Sequence, residues 1–278
     1  MSATAAAVAR FLEKTSQLAA LLSAPGDDLE RIVLTGVSVD AGAGPNHIAW
    51  RRTPITSAAD TTAGLLICAG PALEDEPPAG HVVAVCAAPR MAMAGVLGRF
   101  FSELSVDRDP VYAEPELAET VVLNHSWVRN AIVGPRVRIA QHVVIGCSGM
   151  GYESEPDGRL VYFPQLGGVV LEADVDVAAH ATIQRGALGD TVVRRGSKIG
   201  PHVNVGHNVQ IGEDVLVTGH AQLGGSCRLG DRVVIWQSAV IANRVTVGEG
   251  AVIGMCACVR SDVGPGEVWA GNPARRLR

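Results

Sequence analysis

Residues 193–263 divide into steps of six: VRRGSK IGPHVN VGHNVQ IGEDVL VTGHAQ LGGSCR LGDRVV IWQSAV IANRVT VGEGAV IGMCAC VRSDV. The first residue of every step is Val, Ile or Leu, from Val193 through Ile199, Val205, Ile211, Val217, Leu223, Leu229, Ile235, Ile241, Val247 and Ile253 to Val259. The next position is often small, as at Gly200, Gly206, Gly212, Gly224 and Gly230. The position four beyond each hit is small or β-branched, as at Val203, Val209, Ala221, Cys227 and Ala239. A period of six fits neither an α-helix nor a two-residue strand alternation. It fits a three-sided coil with six residues per side, one apolar side chain per side pointing inward and a tight turn at each corner.

Outward from this run the pattern weakens but persists. Val133, Ile139 and Ile145 make one set, and Leu171, Val177 and Ile183 another. Between Ile183 and Val193 the step is ten, so four extra residues near Ala187–Asp190 must bulge out. Residues 18 apart then share a column, one coil above another, at the inter-strand spacing of about 4.8 Å. The fold expected is mostly β, a left-handed parallel β-helix of hexapeptide repeats over residues 116–278. The segment 147–168 breaks phase, is rich in Gly and Pro, and reads as a projecting loop of the kind that often carries function.

Residues 1–115 lack the six-step and read as a small α/β domain. Strand-like runs occur at Ile32–Val39, Leu65–Cys68 and Val82–Cys86, and helical spacing across Met91–Phe101. The first 25 residues read as an amphipathic helix, with Glu13 and Lys14 ruling out a signal peptide. Asp107–Pro115 is a candidate linker.

Composition agrees. The 278 residues are 47% hydrophobic, 18% charged and only 4% aromatic, which excludes a disordered chain and requires an aliphatic core. A net charge of −5 argues against nucleic acid as a partner. No apolar run is long enough for a membrane span. The six cysteines form no CxxC pair and read as reduced thiols, consistent with a cytoplasmic protein.

Acyl transfer needs a base and donors for an oxyanion. His207 lies two positions after inward Val205, at a corner, and Gly225 stands 18 residues on, where a bare backbone N–H would be approachable. Asn243 extends that column. His202 and His220 share a different column, which His180 joins if the bulge loops out; it reads as a surface or subunit-contact ladder. Arg244, Trp236 and Trp269 are further candidates for shaping a pocket.

The runs Thr182–Thr191 and Val205–Gly212, the pieces Gly151-Tyr152 and Phe163–Gly167, Thr35-Gly36-Val37 with Gly44 and Trp50, and Pro89-Arg90 together resemble the UDP-3-O-acylglucosamine N-acyltransferases. The resemblance runs from about residue 30 to 265. It implies a homotrimer with sites between neighbouring helices, His207 as general base, the Gly225 amide as oxyanion donor, and Trp50 stacking on uracil. Substrate-binding roles fall on Asn208, Tyr152, Phe163, Gln165, Asn243, Arg244 and His220. The co-substrate implied is an acyl-CoA or acyl-carrier-protein thioester, the acceptor an amine of a sugar, sugar nucleotide or related small molecule, with no metal. Three departures stand out. A substrate-binding histidine of the family falls at Arg244, its acidic-amide pair before the base falls at Gly200-Pro201, and the aromatic partner of Trp50 is replaced in Arg51–Ile55. The segment Val268–Ala274 resembles the end of coenzyme A-dependent acetyltransferases. Two alternatives remain open: a metalloenzyme of the gamma carbonic anhydrase type using His202, His207 and His220, and a non-catalytic trimeric scaffold.

Overall fold

The computed structural model describes residues 2–15, 17–38, 43–51, 55, 57, 61–70, 75–102, 107–113 and 125–278. Contacts divide the chain into two units: Met1–Val106 with Gly151–Pro164, and Asp107–Met150 with Gln165–Arg278.

The second unit is a left-handed parallel β-helix. Face I stacks seven strands, from Val111–Tyr112 and Ala131–Val133 to Thr246–Val247. Face II runs from Arg138–Ile139 to Val268–Ala270, with Arg275–Arg276 paired antiparallel at its end. Face III runs from Trp127–Val128 to Cys258–Val259. The register follows the six-step: Val128, Ile145, Ile183, Val205, Leu223, Ile241 and Val259 are successive Cα partners on face III. Ile183 pairs with Val205 and Leu171 with Val193, so the four additional residues do leave the coil.

Each side buries two residues rather than the expected one. Val203 and Val205, Val209 and Ile211, and Ala239 and Ile241 are all at most 1% exposed. The residue four beyond each hit also faces inward because the chain turns the corner between them. That turn uses the left-handed region at the third position after the hit: His202 (φ 56°), Asn208 (60°), Asp214 (52°), His220 (61°), Ser226 (63°) and Arg232 (57°). The repeat imposes this conformation on non-glycine residues, although it is uncommon for them. Cys227 takes an inward position, and burial pushes its thiol up to about 12; it packs and is not a nucleophile.

In the first unit a sheet of five strands is ordered Leu18–Ser23, Val82–Cys86, Leu65–Cys68, His47–Trp50, Gly36–Val37. The first pair is antiparallel and the rest parallel. Helices span Ala5–Lys14, capped by the Thr4 hydroxyl, and Pro89–Phe100. The expected single N-terminal helix thus stops at Lys14, and Leu18–Ser23 is a strand. Pairing along the buried Val82–Cys86 outweighs the helix propensity of Leu-Ala-Ala-Leu-Leu. The run Ile32–Val39 yields only Val33–Leu34 and Gly36–Val37, and Val39 lies outside the described residues. The candidate linker contains a face I strand, Val111–Tyr112; Glu114 and Pro115 lie outside the described residues. The projecting segment forms a hairpin, Tyr152–Ser154 with Leu160–Tyr162, grouped with the first unit.

The inward columns set stability. Ile235→Ala, at a fully buried position, is expected to cost about 2–5 kcal/mol in a denaturant titration. Leu216→Ala, on the outside of face II, is expected to stay within about 0.5 kcal/mol.

Candidate active site

The corner between faces III and I carries His207, and its neighbours fix the imidazole from several directions. His207 Nδ1 lies 3.2 Å from Asn208 Oδ1. The orientation of that amide is determined by its other partners. The Ala187 N–H donates to Asn208 Oδ1 (2.9 Å), and Asn208 Nδ2 donates to the Gly189 carbonyl (2.8 Å). A backbone N–H can only donate and a carbonyl can only accept, so an oxygen faces His207. Nδ1 must therefore carry the proton, and Nε2 is left with a free lone pair. Asn208 is itself held by donating its N–H to Thr191 Oγ1 (2.8 Å).

The bulge after Gln184 supplies both of these partners of the Asn208 amide. It folds so tightly that a Cβ on Gly186 would fall 1.6 Å from the Gly189 carbonyl oxygen and 2.7 Å from Asn208 Nδ2. Its far end is pinned where Asp190 Oδ1 accepts from Gly168 N–H (2.6 Å) and Gln210 Nε2 donates to the Asp190 carbonyl (2.9 Å).

Two glycines press on the imidazole. A Cβ on Gly225 would sit 2.7 Å from His207 Nε2, so only glycine fits there. Among the described residues the Gly225 N–H has no acceptor. A Cβ on Gly149 would sit 3.1 Å from His207 Cδ2 and 2.9 Å from Gln184 Oε1. Free lone pair, unpaired peptide N–H and absent side chain therefore meet on one edge, which is what proton removal from a nucleophile beside a developing oxyanion requires. At the position of the family's acidic-amide pair, a Cβ on Gly200 would fall 2.8 Å from the Val217 carbonyl oxygen. No carboxylate can replace it in this backbone, and Asn208 supplies the orienting oxygen.

The remaining sequence candidates separate. Asn243 and Arg244 are exposed on the same corner, two coils beyond His207. Gln165, by contrast, is 1% exposed, closed off from any ligand. In the first unit the Trp50 and Phe163 rings lie 6.2 Å apart, with Arg90 5.0 Å from the Phe163 centroid. Phe163 is 1% exposed and so packs Trp50 from within, leaving no face for substrate. Tyr152 meets Tyr162 edge to face across the hairpin, both partly exposed. His220 stands on another corner, between faces II and III, as does His202. The three imidazoles of the metalloenzyme reading therefore do not converge within one chain, and no cluster of three metal-ligating side chains occurs among the described residues.

Sequence reading missed two contributors. The orienting role of Asn208 depends on a contact with the bulge, which has no sequence signature. Gly149 was hidden in the phase break after Cys147; the only hint was that the break begins one column from His207.

A Nδ1–H tautomer is the first measurable consequence. In 15N-resolved spectra of the neutral His207 ring, the single ring proton is expected on Nδ1. Asn208→Ala is expected to release the ring into mixed tautomers without unfolding the chain. A wild-type Nε2–H tautomer would contradict the assignment.

No family model matches the chain. Over 149 residues it is 53% identical to a UDP-3-O-acylglucosamine N-acyltransferase of Azorhizobium caulinodans, covering 54% of this chain and 42% of that protein. Over 148 residues it is 42% identical to the enzyme of that name from Caulobacter sp. strain K31, covering 53% of this chain and 43% of that protein. The chain thus spans less than half the length of these relatives. Among solved structures, an Arabidopsis UDP-N-acetylglucosamine acyltransferase aligns over 92% of this chain and 73% of its own, at 13% identity and a TM-score of 0.46. The Francisella novicida protein of the same name aligns over 56% and 67%, at 18% identity and a TM-score of 0.45. No described helix is long and apolar enough to cross a membrane. Over 54% of its length, then, this β-helical chain is similar to the UDP-3-O-acylglucosamine N-acyltransferases.

Proposed function

We propose that the protein is an N-acyltransferase that moves an acyl group from a pantetheine thioester, on coenzyme A or a carrier protein, to the amine of a sugar, sugar nucleotide or related acceptor. The observation that carries this is the His207 imidazole, with Nδ1–H held by Asn208 and Nε2 facing the side-chain-free edge of Gly225. The acceptor nitrogen attacks the thioester carbonyl while Nε2 removes its proton. The carbonyl oxygen takes the negative charge and is met by the Gly225 N–H. Collapse expels the thiolate, which takes the proton back from the imidazolium, leaving an amide and a free thiol.

The relatives' name supports the amine and the nucleotide-linked sugar. In this reading Trp50, half-buried beside Phe163, takes the base, and Asn243 and Arg244 line the track beyond the catalytic corner. The protein works as a homotrimer in the cytoplasm, where its six free thiols stay reduced.

His207→Ala is expected to lower acyl transfer roughly 100-fold or more, the usual scale for losing a general base. Gly225→Ala is expected to abolish it by pushing the ring away, because the added carbon has no room. Thermal shift against coenzyme A, acyl-CoA and uridine nucleotides reads the ligands through mass action. Stabilisation by the donor, with transfer to an amino-sugar nucleotide followed by mass spectrometry, is the expected result. A folded His207→Ala protein with full activity would end the reading.

A further inference from the structure

The outer column of face I changes character at the coil that carries His207. Val111, Ile132, Val170, Val192, Gln210, Arg228 and Thr246 are successive Cα partners along that face. Each precedes a residue packed in the core, such as Val133, Val193 or Leu229, so strand alternation turns it outward. The first four members are aliphatic, with Val111 63% and Ile132 55% exposed. The next three are Gln, Arg and Thr. The change falls at Gln210, three residues after His207, where the candidate catalytic corner runs into face I.

Both ends of the column are concave. At the aliphatic end a cavity of about 290 Å³ is lined by Val111, Ile132 and Val169, together with Arg108, Asn130 and Asp190. At the other end a groove of about 220 Å³ is lined by Arg194, Arg228, Gln210 and Thr246. Arg194 and Arg228, and Arg244 on the adjoining corner, make no ion pair among the described residues, whereas Arg195 holds Glu213. In the turns from face III into face I at 205–211, 223–229 and 241–247, Arg228 and Arg244 are the only residues of fixed charge. Asp262, from the last coil, is turned to the Thr246 N–H (2.7 Å). In a chain of net charge −5, three cations left unpaired beside one corner argue for an anionic ligand there.

We infer that the thioester donor lies along this column, with its acyl chain on Val192, Val170 and Ile132 and its phosphate-bearing end on Arg228, Arg194 and Arg244. The inference rests on the acyl-transfer reading of His207 and adds a direction and a chemical class to it. An acyl thioester of phosphopantetheine is apolar at one end, anionic at the other and reactive at the carbonyl between them. The column presents aliphatic side chains, the His207 coil and arginines in that same order. Guanidinium groups pair with phosphate oxygens through two parallel hydrogen bonds, which suits them to this end of the donor. From Gln210 to Val111 the four steps of about 4.8 Å span roughly 19 Å. That length gives a fatty acyl group a bed that acetyl would leave empty. The cavity at Val111 and Ile132 closes the bed at its far end. Phosphopantetheine is common to coenzyme A and to carrier proteins, and the two sources separate by which phosphate the arginines hold.

Calorimetric binding without an acceptor tests this, so no turnover is needed. The ligands are pantetheine, phosphopantetheine, coenzyme A, acetyl-CoA, decanoyl-CoA and uridine diphosphate. The proteins are the wild type, the double variant Arg194→Gln with Arg228→Gln, and Ile132→Gln, each checked for intact β structure by circular dichroism. The wild type is expected to bind decanoyl-CoA about tenfold or more tighter than acetyl-CoA, through burial of the longer chain. Ile132→Gln is expected to remove most of that preference and leave coenzyme A affinity unchanged. The double arginine variant is expected to weaken coenzyme A about tenfold or more, the scale of a lost charge-assisted hydrogen bond, with pantetheine unchanged. An equal loss for phosphopantetheine assigns the arginines to the phosphate that carrier proteins share; a loss for coenzyme A alone assigns them to its nucleotide phosphates. Either upholds the inference. No preference for the longer chain, a preference that survives Ile132→Gln, or coenzyme A affinity unmoved by the arginine variant would overturn it. So would an arginine variant that loses uridine diphosphate and keeps coenzyme A, which gives the seat to the acceptor. A changed melting temperature or native mass in Ile132→Gln with the acyl preference intact assigns the stripe to protein packing, and also overturns it. Donor binding as expected without amide formation would defeat the catalytic reading alone. Amide formation with donor affinities indifferent to both variants would defeat the donor placement alone.

Discussion

Stacking of successive coils in register is the constraint on which everything else depends. Each strand of the coils contributes only two to four residues, too few to be stable alone. Stability comes from backbone hydrogen bonds passed from coil to coil, such as Gly206 N–H to the Leu223 carbonyl (2.9 Å) and Gly224 N–H to the Ile241 carbonyl (2.9 Å). Between them the inward aliphatics form continuous columns. Because neighbouring coils must superimpose, a side chain chosen for one corner lies directly over its counterpart 18 residues away. Periodic stability and positional chemistry are therefore the same property of this fold.

That property explains how a site forms on so regular a body. The repeat alone gives every corner a turn and a left-handed residue. Function enters where the regularity is broken: the ten-residue step brings Gly186–Asp190 back against Asn208, and the phase break after Cys147 places Gly149 against His207. The regular part contributes the complement, an N–H without an acceptor among the described residues, one coil along at a position kept free of a side chain. A scaffold with rigid columns holds these groups in fixed relation without an enclosing core.

The same superposition separates the three corners into different surfaces. One is charged, with ion pairs such as Arg136–Asp174 and Arg195–Glu213. One carries His207 and Asn208. One stacks imidazoles, and its segments 139–145, 177–183, 199–205, 217–223, 235–241 and 253–259 hold no Asp, Glu, Lys or Arg. Exposed ion pairs contribute little to stability, so the segregation reads as a division of surface roles.

By itself, the sequence determined the coil, its period, the bulge, and the corner on which His207 and Gly225 stand. These follow from one rule, that an inward aliphatic recurs every sixth residue, and the rule is local enough to count. The second inward residue per side was present as a small or β-branched position but became an inward one only once the corner's dihedral angles were known. Only the tertiary structure decided that Leu18–Ser23 is a strand, that Phe163 is buried beside Trp50, that Asn208 orients the His207 imidazole, and that His125 and His142 stack onto the column of His180, His202 and His220. Each of these depends on contacts between segments whose spacing is interrupted or aperiodic. Periodicity encodes distance along the axis of a repeat, whereas contacts across its interruptions are set by how the intervening chain folds back.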